Sequence, residues 1–353
     1  MAYTAIDDPE AYFQVKTYTG NESDDHSITL DGDENMQPDL VWIKHRNGGN
    51  GHHMYDSIRG VTERIRSDTS AAEATQADGL TDFDSDGFTL DDGNGVNGAY
   101  TYVAWCWKAS GSTASNSNGT NITSTVDANT TAGFSIVSYT GSGTTSDTVG
   151  HGLSSLDLLI VKSRDETDSW FVKHKDLASS KNLNLDQTVA ETDVTSAYSE
   201  GGLSNLSGNT FGFLDGTSDA NAVNESSEAH IAYCFKSVQG YSKFGKYSTN
   251  NNADGPYIFT GFSPAFVMLK VFSGNTGGWD IWDNKRGFNP NEEVLQANAA
   301  SAEASNDAID LLSNGFKIRN TSGNVNGSGD TIVYMAFAEA PFVNSNGVPC
   351  NAR

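Results

Sequence analysis

Three aspartates alternate in "DFDSDG" (82–87), the spacing that opens an EF-hand loop and offers oxygen ligands to Ca²⁺. The twelfth position of such a loop should be Glu and is Gly93, and the related "DLLSNG" (310–315) places Leu312 where a ligand belongs. Asp82, Asp84 and Asp86 are therefore either a Ca²⁺ site, the one cofactor the residues suggest, or a solvated acidic turn. "GNGVNG" (93–98) satisfies G-x-G-x-x-G, but a strand rather than a helix follows it, so a hairpin turn is expected instead of a dinucleotide cradle. The histidines of "DDHS" (24–27) and "GHH" (51–53) have no matched partners elsewhere and are expected in surface loops, with a metal role as the alternative.

Lys44, Lys162 and Lys270 recur at the end of one apolar strand, followed by Arg46 and Arg164 in two cases. Strand-end solvation, a structural ion pair or ligand contact would each account for them. Tyr198, Trp170 and Trp279 are candidate sugar-stacking residues on loops, or else members of a sheet junction. Enzyme signatures are missing: there is no G-x-S-x-G, H-E-x-x-H or G-x-x-x-x-G-K-[ST]. With 45 carboxylates, nominating two as a glycosidase acid and base selects nothing. The expectation is a protein that is not an enzyme, with no catalytic residue to name.

These residues must be positioned by an unusual chain of 353 residues. "PDLVWIKHR" (38–46) returns as "LDLLIVKSR" (156–164) and "PAFVMLK" (264–270). Ahead of it stand "KTYTGN" (16–21), "VSYTGS" (137–142) and "FGKYSTN" (244–250). After it come "YDSIRG" (55–60), a weaker "KHKDLA" (173–178) and "WDNKRG" (282–287), then "DSDGFTL" (84–90), "GNTFGFL" (208–214) and "LSNGFKI" (312–318). Each unit carries Val96-Asn97, Val223-Asn224 or Val325-Asn326 and closes with "YVAWCWK" (102–108), "HIAYCFK" (230–236) or "YMAFAEA" (334–340).

The order of landmarks predicts an all-β chain with little helix, built as three tandem β-sandwiches of jelly-roll or lectin-like type. The expected division is unit 1 at 1–108, a Ser/Thr/Asn/Gly-rich linker at 109–133, unit 2 at 134–236, unit 3 at 241–340 and a tail at 341–353. Units 2 and 3, joined by a short connector, are expected to pack together. "LVWIK" is apolar throughout, as a strand covered on both faces should be. Short Ala-rich helices are expected at "SAAEATQA" (70–77) and "ASAEASNDAIDLL" (299–312). Trp42, Ile160 and Met268 should be equivalent.

In "YVAWCWK" the large residues Val103, Trp105 and Trp107 alternate with Tyr102, Ala104 and Cys106. Their expected counterparts are Ile231, Tyr233, Phe235 and Met335, Phe337, Glu339, which sets Ala338 opposite Cys106 and Cys234. A metal or redox cysteine would not survive that change, whereas a small buried side chain would. Three widely spaced cysteines (106, 234 and 350) with no C-x-x-C argue likewise against a disulfide framework or zinc.

A net charge of −24 disfavours nucleic acid as a partner. No apolar run reaches the roughly 20 residues of a membrane span, and the first residues lack a signal-peptide pattern, so synthesis in a cytoplasm is expected. At "YTGN", "PDLVWIKHR", "FDSDGFTL", "YVAWCWK" and the ending "AFAEAPFVNSNGVPCNAR", the chain resembles a group of virion structural and tail-fibre-like proteins of tailed phages, common in marine and freshwater phages. The resemblance spans nearly the full length and implies a virion component made in the host cytoplasm and released by lysis. Its partners would be other virion proteins and host-surface polysaccharide. It would act as a tail-fibre or appendage protein, or alternatively as a capsid, neck or tail decoration protein, and as a homo-oligomer in either case. The resemblance carries no catalytic or binding residues across.

Overall fold

The computed structural model describes residues 4–350 except 196–200, 205, 207, 215–221, 288 and 290. Strands dominate; among the described residues the helical elements are a 3-10 turn at Pro9–Ala11 and one α-turn at Gly323–Asn326. In unit 1 the strands Phe13–Thr19, Thr101–Trp107, Leu40–His45 and His52–Asp56 form one antiparallel sheet in that order. A second layer holds His26–Thr29, Gly87–Leu90 and Leu80–Asp84. The last strand thus lies between the first and third, as in a jelly roll.

Unit 2 repeats this with Phe134–Thr140, Ala229–Phe235, Leu158–Ser163 and Phe171–His174 in one layer, and Thr148–Gly150, Thr210–Leu214 and Gly202–Ser204 in the other. Unit 3 uses Ser242–Ser248, Thr331–Pro341, Phe262–Ser273 and Trp279–Asp283. Its sheet then continues through Asn291–Gln296 and Ala304–Leu312 and folds back, so that Ile258, Ile309 and Phe316 pack on Val267, Leu269 and Ala336.

Four hydrophobic cores result. Three are private, one inside each sandwich, and take the small-residue face of the closing strand: Ala104 and Cys106, Ala232 and Cys234, Ala336 and Ala338. The fourth is shared and collects the large face of all three closing strands. Because each central strand has a core on both sides, "LVWIK" carries no polar alternation until its lysine. Trp42, Ile160 and Met268 pair with Trp105, Tyr233 and Met335, so the three positions are equivalent.

The third closing strand is displaced by two residues from the sequence alignment. Leu40 faces Trp107, Leu158 faces Phe235 and Phe266 faces Phe337. The counterpart of Trp107 is therefore Phe337, and that of Cys106 and Cys234 is Ala336, not Ala338. Trp107, Phe235 and Phe337 meet at the centre of the molecule, with ring centroids 6.4, 5.6 and 6.0 Å apart for the three pairs. Equivalent residues in mutual contact define an approximate threefold axis, so all three units pack together rather than units 2 and 3 alone.

Other expectations are corrected. The Ala-rich segments are not helical: Ala304–Leu312 is a strand, and within 70–77 the regular structure is the two-residue strand Ala74–Thr75. Both are held extended by backbone bonds to a neighbouring unit, from Glu73 N to Arg164 O (2.9 Å) and Glu303 N to Arg46 O (2.6 Å), and these override alanine's helix preference. The 109–133 stretch is more than a linker, since Ala114–Asn116 and Ser124–Asn129 extend the sheet of unit 2 beyond Phe134–Thr140. "GNGVNG" joins Gly87–Leu90 in one layer to Thr101–Trp107 in the other, so it is a crossover and not a hairpin.

The recurrent tyrosine and asparagine landmarks act together at that crossover. Tyr18, Tyr139 and Tyr247 donate their hydroxyls to the carbonyls of Val96, Val223 and Val325. The next residues, Asn97, Asn224 and Asn326, are buried and accept from the loop N–H groups of Asn21, Ser142 and Asn250 while donating to Ser23, Thr144 and Asn252 carbonyls. Asn97→Ala leaves those loop groups without partners, at an expected cost of about 1–3 kcal/mol, measured as a lower urea midpoint with an unchanged slope.

Candidate functional site

The recurring polar and aromatic side chains converge on the three junctions between units. At the junction of units 1 and 2, Arg59 and Asp56 form a fully buried ion pair at 2.5 Å. Asp56 also accepts from the Tyr233 hydroxyl of unit 2 at 2.7 Å. Glu73 bridges the boundary, holding Arg59 at 3.1 Å and Arg164 of unit 2 at 2.6 Å. The remaining Arg59 donors reach the carbonyls of Met54 and Glu63. Such saturation is what makes a buried pair tolerable in a low dielectric.

The junction of units 3 and 1 repeats the arrangement. Arg286 pairs with buried Asp283 at 2.6 Å, and the Trp105 indole of unit 1 donates to Asp283 at 2.9 Å. Glu303 takes Arg46 in a two-pronged contact at 2.7 and 2.9 Å. The junction of units 2 and 3 keeps the backbone bond, Glu191 N to Phe272 O at 2.9 Å, and with it the carboxylate equivalent to Glu73 and Glu303, but neither the buried Asp–Arg pair nor the arginine across the boundary. There the register places His174 for Asp56 and Met335 for Trp105, while the chain spacing places Leu177 for Arg59 and Phe272 for Arg46.

A second set of contacts is common to all three. His52, Trp170 and Trp279 occupy one register position, opposite Lys44, Lys162 and Lys270 or adjoining it. Their ring nitrogens face carbonyls of the preceding unit: Gln296 at 2.9 Å, Arg66 at 2.8 Å and Asn184 at 2.8 Å. Trp170 and Trp279 are thus buried junction residues and not exposed sugar platforms; Tyr198 lies outside the described residues.

The three lysines are wholly buried, and burial holds each ammonium down to about 8. Each caps backbone oxygens: Lys44 those of His45 and Ala300, Lys162 those of Ser163 and Glu166, Lys270 those of Gly277 and Gln187. They are neither solvated nor placed to touch a ligand.

"GHH" is likewise internal. His52 and His53 lie in a buried strand, and His52 Nδ1 accepts from the Trp42 indole at 2.8 Å. His26 is half-buried, 2.6 Å from Asn97 Oδ1. Asp84 accepts from the Thr89 hydroxyl at 2.8 Å in a hairpin, and among the described residues no group of three His, Cys, Asp or Glu side chains converges as a metal ion requires. Cys106 and Cys234 are free and buried, which pushes both thiols up; Cys350 is exposed.

Burial pushes His52, His53 and His174 down to about 3, and His151 and His230 down to about 4. These rings stay neutral in the folded chain but protonate near 6.5 once unfolded, so stability is present above that value and lost as pH falls toward 4. Asp39 and Glu293, raised to about 6 and about 7, act in the opposite sense. Burial also raises Asp186 and Asp280, with the same sign as Asp39 and Glu293, so the expected fall rests on the five imidazoles, each contributing up to about 1.4 kcal/mol per pH unit as it protonates in the unfolded chain. The urea midpoint should fall progressively between pH 7 and pH 5.

What the sequence left unseen is the Asp56–Arg59 and Asp283–Arg286 pairs, although "YDSIRG" and "WDNKRG" contain them; their weaker counterpart "KHKDLA" marks the junction without such a pair. The described architecture is one of cross-unit fastening. A family model described as a domain of unknown function, DUF7483, matches residues 8–341. No curated protein and no solved structure matches the chain.

Proposed function

We propose that the chain, which belongs to the DUF7483 family of domains of unknown function, is a non-catalytic structural component of a tailed-phage particle, carried on a tail fibre or similar appendage that meets host-surface glycan. The observation that supports this reading best is the structural use of the recurrent polar and aromatic side chains at the junctions. The repeated arginines, tryptophans and carboxylates fasten three sandwiches into one body, and the repeated lysines cap buried carbonyls. Such a body offers many loops on a rigid frame, the usual setting for recognition. Its charge of −24 suits a soluble, salt-exposed surface and disfavours nucleic acid. The resemblance at "YTGN", "PDLVWIKHR" and "YVAWCWK" supplies the link to phage particles.

A purely structural decoration role on capsid, neck or tail is the second reading, favoured by the burial of Trp170 and Trp279. Both readings make the protein in the host cytoplasm, release it by lysis and present it in several copies beside other virion proteins. The test is gold-labelled antibody on purified particles, together with incubation of the protein with host-envelope polysaccharide. Label on fibres is expected. Label on the shell or neck selects decoration, absence from particles rejects the virion reading, and release of reducing ends rejects the non-catalytic one.

A further inference from the structure

The junction of units 2 and 3 departs from its siblings on its outer rim as well as in its charges. Where Phe13 and Phe134 face the axis aromatics Trp107 and Phe235, the equivalent residue facing Phe337 is Ser242. The next position is Gln14, Ser135 or Lys243. Gln14 and Ser135 are buried and bonded internally, to Glu10, Glu34 and Gly32 in one case and to the His151 carbonyl in the other. Lys243 is instead half-buried at the edge. Likewise Ser57 and Asn284, whose N–H groups bond the Asp39 and Ala265 carbonyls, correspond to Lys175, which bonds that of Asp157.

All three departures line one groove of about 540 Å³, closed by Phe259, Thr260 and Val343. Phe259 is 53% exposed, an unusual state for a phenyl ring, and the Lys243 ammonium rests 5.3 Å from its centroid while donating to the Phe259 carbonyl at 2.6 Å. Lys175 also borders an adjoining groove of about 500 Å³, so an extended ligand could run past it. Its carboxylate neighbour is Asp157, at 3.4 Å and part-exposed. The Lys243 ammonium is held below its ordinary range, first by burial and then by the Lys175 charge, which marks two cations facing one space. In a chain of net charge −24, long-range attraction for anions is absent, so only such a local pair could retain one.

We infer that this groove binds an acidic oligosaccharide, with Phe259 stacking on a sugar face and Lys175 and Lys243 receiving its carboxylate. An exposed ring beside paired ammonium groups matches a ligand with an apolar face and a negative edge. The inference rests on the appendage reading in taking a sugar as the source of the carboxylate; the groove itself does not.

Calorimetric titration of the full chain tests it, using a galacturonic acid tetrasaccharide, a neutral galactose tetrasaccharide and succinate. The acidic sugar should bind about tenfold or more tighter than either control, and more weakly at high salt. Lys175→Gln and Lys243→Gln should each weaken it a few-fold, and Phe259→Ser by about tenfold, with unchanged urea midpoints because all three are rim residues. No binding of the acidic sugar, or equal binding by these variants, overturns the site. Equal affinity for the neutral sugar overturns the role of the lysines. Equal affinity for succinate overturns the sugar, and none of these outcomes bears on whether the protein is found in particles.

Discussion

Arg59→Met is expected to lower the free energy of unfolding by about 3–5 kcal/mol, the range for removing one partner of a buried pair. The loss comes less from the missing attraction than from Asp56, a buried carboxylate that keeps the Ile58 and Arg59 backbone N–H groups and the Tyr233 hydroxyl but loses its countercharge. Urea denaturation measures it. The junction of units 2 and 3 supplies a comparison already present in the molecule, since it functions with His174, Leu177 and Met335. Transplanting that set as Asp56→His, Arg59→Leu and Tyr233→Met should recover more than half of the loss, because no charge is then stranded. A triple variant as unstable as Arg59→Met would show that the pair itself, not the stranded carboxylate, sets the cost.

Trp105→Ala should cost at least as much, about 3–5 kcal/mol for the cavity alone. Trp105 packs edge-on to Trp42 at 5.6 Å and Phe266 at 5.8 Å, with the Arg286 guanidinium 5.7 Å from its ring. It also donates to Asp283 across the boundary. Trp105→Phe retains much of the volume and loses the donor, so it should fall well short of the alanine variant. The difference between the two, read from urea midpoints, separates packing from the hydrogen bond.

How far such residues could be recognised beforehand depends on the range of the interaction. Repeats and strands follow local patterns, and "LVWIK" shows its two covered faces through the absence of alternation. Register is harder. A shift of two residues preserves which side chains face which core, so alternation alone could not tell that Phe337, and not Glu339, joins Trp107 and Phe235. Partners across junctions are harder still: Tyr233 and Asp56 are 177 residues apart, and nothing local in either segment names the other. For the same reason Trp170, Trp279 and His52 looked like loop residues when their partners lie on another unit. The Ala-rich segments failed in the opposite direction, through a local preference that tertiary backbone bonds overrode.

The aromatic meeting of Trp107, Phe235 and Phe337 has a further consequence because one polypeptide supplies all three rings. A trimer of separate subunits falls apart on sufficient dilution, whereas tethered subunits keep a fixed effective concentration whatever the volume around them. In a trimer of identical chains, moreover, a substitution enters three interfaces at once and must be tolerated at each. In the fused chain it enters one. That freedom is what allows two interfaces to keep their ionic clasps while the third exchanges them for Leu177, Met335 and Phe272 and opens a groove beside them.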